Sequence, residues 1–104
     1  MGKRMVGRTL RWLSKAQGHL KDILAFYQER NGNSEYGDKL VDRIENVLNN
    51  VIFQPYLGER WTKRGFRFVV VTPFQLFYYV TKTEIVVAAV WDGRRDPKTL
   101  KLTR

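Results

Sequence analysis

Hydrophobic positions along this chain switch between two spacings, and the switches divide it into helices and strands. From Ala16 they recur at Leu20, Ile23, Leu24 and Tyr27, a three-and-four spacing that lines one face of an α-helix. Ser14 stands three residues ahead of Gln17, a capping-box arrangement that predicts the helix start there. Asn31-Gly32 tolerates left-handed backbone, so the helix is expected to stop near Arg30. A second stripe, Leu40, Ile44, Val47, Leu48 and Val51, follows Asn33-Ser34, with Glu35 and Asp38 in the first turn where carboxylates favour the helix dipole. Gln54-Pro55 ends it, because proline pushes its predecessor out of the helical region. So short a link between the helices makes them an antiparallel hairpin.

Beyond Phe66 the pattern becomes strand-like. Apolar runs at roughly Phe66–Thr72, Gln75–Thr81 and Glu84–Trp91 are separated by turns at Thr72-Pro73-Phe74 and Lys82-Thr83, an antiparallel meander. Val6 to Leu13 alternates weakly and reads as a further strand whose basic flanks suit a sheet edge. The order β-α-α-β-β-β predicts an α+β fold, a two-helix antiparallel hairpin packed on a twisted, mainly antiparallel four-stranded sheet, with residues 1–104 as one domain. The strands are apolar on both faces: Phe66, Phe68 and Val70 alternate with Val69 and Val71. One hairpin covers one face, so the other must be filled by the chain's own curvature and termini, or by a partner.

Composition narrows the chemistry. Cysteine is absent and His19 is the only histidine, which removes zinc clusters and thiol nucleophiles, and no metal or cofactor is expected. His19 falls among charged residues of the first helix and reads as a solvated position. No apolar run reaches transmembrane length and the basic start lacks a secretory h-region, so a cytoplasmic protein without membrane contact is expected. The net charge of +9 is unevenly spread: residues 31–60 carry three basic and five acidic side chains, residues 61–104 nine and three. Such a field draws nucleic acid or an acidic protein, or simply keeps the protein dispersed.

In order and spacing the chain resembles the RelE/ParE superfamily of bacterial type II toxin–antitoxin toxins. The likeness runs through Ala16, Leu20, Ile23 and Tyr27, the second helix, Pro55-x-x-Gly58, Gly65-Phe66-Arg67 and Val90-Trp91-Asp92-Gly93-Arg94-Arg95-Asp96-Pro97. It implies a growth-inhibiting toxin neutralised by an antitoxin whose C-terminal segment wraps it in a heteromeric complex. RelE-like members cut messenger RNA in the ribosomal A site. ParE-like members act on DNA gyrase.

RNA cleavage needs a base for the 2′-hydroxyl, a stabiliser for the phosphorane and an acid for the leaving oxygen. Arg67, Arg94 and Arg95, with Lys63 and Arg64 nearby, are expected to converge at one end of the sheet and supply the second function. The resemblance places a histidine or tyrosine near the C-terminus of many ribosome-dependent members. This chain has neither after Asp96, and Trp91 stands where many relatives carry histidine. Glu59 is a further candidate base, while some relatives use lysine and arginine alone. The missing acid–base group inclines the reading to gyrase, with Arg60, Lys63, Arg64 and Lys98 as target contacts. A basic interaction or RNA-binding module without toxicity is the third reading. Plainer roles stand beside these: Arg94 and Arg95 pairing with Asp92 and Asp96 to clamp the terminal loop, Arg60, Lys63 and Arg64 on a solvated hairpin, and Trp61 and Trp91 in packing.

Overall fold

The computed structural model describes residues 7–61 and 64–102. Its elements are β1 (Thr9–Trp12), α1 (Ser14–Asn31), α2 (Glu35–Phe53), β2 (Glu59–Arg60), β3 (Arg67–Val71), β4 (Phe74–Val80), β5 (Glu84–Asp92) and a 3-10 turn, Pro97–Thr99. The five strands lie in the order β1-β5-β4-β3-β2, with β1 parallel to β5 and the other pairs antiparallel. The α+β architecture and the helical hairpin agree with the pattern of the sequence. The extra strand is β2, where Glu59 and Arg60 pair with Phe68 and Arg67.

Local chemistry explains the boundaries. β1 begins at Thr9, later than expected, and Val6 lies outside the described residues. The Leu13 N–H is bound to Val87 O at 3.0 Å, and the Leu13 side chain packs against the Phe66–Val86 cluster. The chain therefore turns at Leu13, whose carbonyl accepts from Gln17 N, and Ser14 becomes the first helical residue instead of the cap. α1 ends as expected at Gly32, whose φ of 73° is left-handed. Ser34 precedes α2 without a side-chain cap; Asn33 Oδ1 accepts the Glu35 N–H at 3.0 Å instead.

The helices cover one sheet face. Leu40, Ile44, Leu48 and Val51 of α2 and Ala16 of α1 pack on Val69, Val71, Phe74, Leu76, Tyr78, Ile85, Val87 and Val90. The opposite face is covered in large part by the chain itself: Leu13, Trp61 and Leu102 lie on Phe66, Tyr79, Val86 and Ala88, and Trp61, Leu100 and Leu102 on Phe77, Ala89 and Trp91, while Val70 on β3 stays exposed. Lys15 Nζ donates to Lys101 O at 2.9 Å and ties this tail to α1.

Pro55-x-x-Gly58 has a structural purpose. The Tyr78 hydroxyl donates to Pro55 O and accepts from Gly58 N, both at 2.9 Å. A Cβ on Gly58 would stand 2.6 Å from that hydroxyl and 2.7 Å from Phe68 O, so only glycine lets β2 approach.

Candidate functional site

β1 covers only the first half of β5, from Glu84 to Val87. Past Leu13 the neighbour of β5 is α1, and the outward Val90 N–H is met by His19 Nδ1 at 3.2 Å. An accepting Nδ1 is unprotonated, which puts the neutral ring's proton on Nε2. Burial, reinforced by Lys15 and Arg95 and opposed by Asp22, holds the His19 pKa below its usual value. His19 is thus a half-buried structural acceptor, and the expectation of a solvated histidine is corrected: the unpaired strand edge draws it inward.

Beside it Trp91 is 6% exposed, edge-to-face with His19 at a centroid distance of 6.5 Å. Its buried Nε1 has no hydrogen-bond partner among the described residues. The Arg95 guanidinium lies over the Trp91 ring at 4.3 Å. Arg94 grips Asp92 with Nε at 2.9 Å and Nη2 at 2.7 Å, and its backbone N–H adds a third bond at 2.9 Å to the same carboxylate. Those bonds hold the Asp92 carboxyl below the usual range and, with Tyr27, raise the Arg94 pKa. Asp96 takes no guanidinium among the described residues; its carboxylate accepts Lys98 N at 2.9 Å and starts the 3-10 turn. Among the described residues the loop clamp therefore uses Arg94 and Asp92.

α1 and the end of β5 bound a cavity of about 350 Å³ lined by His19, Asp22, Ile23, Phe26, Tyr27, Phe74, Val90, Trp91, Asp92, Arg94 and Arg95. Sequence reasoning named its two arginines as site residues, read His19 as solvated and Tyr27 as core, and passed over Asp22 and Phe26. The one available signal was helical spacing: positions 19, 22, 23, 26 and 27 share a face of α1.

Arg67 is elsewhere. It donates to Gly58 O at 2.8 Å and lies over the Tyr56 ring at 5.0 Å, and with Arg60 it lines a shallow cavity of about 190 Å³. β3 and β5 run the same way on either side of β4, so Arg67, at the start of β3, and Arg94, past the end of β5, fall at opposite ends. Arg67 pairs across β4 with Tyr78 and hence Val87, whereas Asp92 is level with Phe74 and Val71. The offset along the strand is about 13 Å for four residues. The expected convergence of Arg67 with Arg94 and Arg95 is corrected on that ground. Arg60, Arg64 and Lys98 are exposed, the first two near Arg67 and Lys98 near Arg95, and Lys63 lies outside the described residues. Glu59 is exposed on β2, far from the His19 cavity.

Among the described residues no cluster of three or more His, Asp or Glu could hold a metal, and no helix is long and apolar enough to cross a membrane. No curated protein matches the chain in sequence. One similar solved structure, titled "Chromosomal ParDE TA system from P. aeruginosa", aligns at a TM-score of 0.68 and 22% identity, covering 82% of this chain and 95% of that one. At that identity the likeness concerns the fold. A model of the family described as "ParE toxin of type II toxin-antitoxin system, parDE" matches residues 10–97. The span runs from β1 to the first residue of the 3-10 turn, and the chain accordingly belongs to the ParE toxin family.

Proposed function

We propose that this protein is a growth-inhibiting toxin acting in the cytoplasm, held inactive by an acidic antitoxin in a heteromeric complex, and that its target is DNA gyrase. The family match supports the toxin role. A net charge of +9 suits an acidic partner. The observation that carries the gyrase reading is the engagement of the arginines: Arg67 is bound to a backbone carbonyl at one end of the sheet, and Arg94 to Asp92 at the other. Phosphodiester cleavage requires its acid, base and phosphate-holding groups within hydrogen-bond reach of one substrate. Arg60, Lys63, Arg64 and Lys98 are then target contacts, not reacting groups.

Induced expression without an antitoxin should arrest growth, and purified protein should leave plasmid relaxed in a gyrase supercoiling assay. Normal supercoiling together with codon-positioned cuts in messenger RNA would overturn the gyrase assignment. One observation favours that second reading: an imidazole shares the cavity with Arg94 and Arg95. In that case His19→Gln should abolish cleavage.

A further inference from the structure

From the cavity between α1 and the end of β5 we infer a docking site for an acidic peptide segment in which one carboxylate sits beside an apolar side chain. The inference rests on the toxin–antitoxin reading and names where, and by what chemistry, such a partner is gripped. Arg95 makes no ion pair among the described residues; its guanidinium is held over the buried Trp91 indole at 4.3 Å. Contact with the indole face holds that cation in place and leaves N–H donors for a carboxylate. His19, with Nδ1 occupied by Val90, presents Nε2–H as a second donor in the same cavity. Two donors match the two oxygens of a carboxylate.

The rest of the cavity selects the neighbour of that carboxylate. Phe26 is 56% exposed on α1 and, beside the half-buried Ile23, gives the cavity an apolar rim above the buried Phe74. Nucleic acid fits less well. Arg94 is committed to Asp92, and a phosphate backbone would carry successive charges past both Asp22 and Asp92. A single carboxylate meets one uncommitted guanidinium.

The test is an NMR titration of isotope-labelled full-length protein with the capped tripeptide Leu-Asp-Phe and its uncharged counterpart Leu-Asn-Phe. The acidic peptide should shift the Trp91 indole and His19 ring signals and bind about tenfold more tightly, the factor expected for a charge-assisted bond. Arg95→Gln, an exposed position, should erase that preference, while Arg67→Gln at the other end of the sheet retains it. Equal binding of the two peptides, a preference surviving Arg95→Gln, or displacement of the peptide by oligouridylate overturns the proposal. Normal growth on induced expression would remove the toxin reading and leave the titration's outcome untouched, so the two failures are distinguishable.

Discussion

At the residue scale, the side chains with most leverage are two that bond to backbone. Tyr78 is buried, its phenol pKa raised by that burial, and its hydroxyl satisfies both Pro55 O and Gly58 N. Tyr78→Phe strands those two groups and should cost about 1–3 kcal/mol in urea denaturation. His19 carries a pH dependence. Its folded pKa is depressed, so the unfolded chain binds more protons as pH falls below the ordinary value of 6.5. Stability should be full above that value and decline as pH drops through the folded pKa. Replacement by Gln, which still offers an acceptor to Val90 but does not titrate, should flatten this part of the pH–stability curve. Neither role was legible in the sequence. A tyrosine in an apolar run reads as core, and a helical histidine beside charges reads as solvated, until the strand it faces is known to be unpaired.

At the element scale, most boundaries follow from local signals: Gly32 and Pro55 stop their helices where expected, and the three long strands fall within about two residues of the runs that foretell them. The misses share one cause, which is tertiary bonding overriding a local preference. Leu13 is claimed by Val87, so the Ser14 capping box never forms, and Glu59-Arg60 becomes a strand only because Tyr78 and Arg67 pull Gly58 against Phe68. Arg67 and Arg94 should accordingly part company on mutation. Arg67→Ala removes a part-buried bond to Gly58 O and should lower stability by about 1 kcal/mol. Arg94→Ala removes an exposed surface pair and should leave the urea midpoint unchanged within error. The separation of these arginines was implicit in the meander, since its first and third strands must run in the same direction. The even spread of basic residues beyond position 60 concealed it.

At the scale of the whole molecule, the sheet's second face settles a choice that the sequence left open between termini and partner. Trp61, Leu100 and Leu102 cover most of it from within and leave Val70 of β3 exposed. Truncation after Thr99 should expose part of the Phe77–Ala89–Trp91 cluster, costing about 1–3 kcal/mol for the lost leucine contacts, and should raise binding of a hydrophobic dye. A net charge of +9 further requires that association with any acidic partner slow as salt is added, which stopped-flow mixing at several ionic strengths would measure.

The handover from β1 to α1 along β5 has a consequence for solubility. A strand left bare from Ala88 onward would offer other chains a template on which to add, the usual seed of sheet-to-sheet clumping. A helix cannot be extended in that manner, and its imidazole plugs Val90, a donor that an incoming strand would need. A small, strongly apolar platform thereby keeps one of its borders from growing.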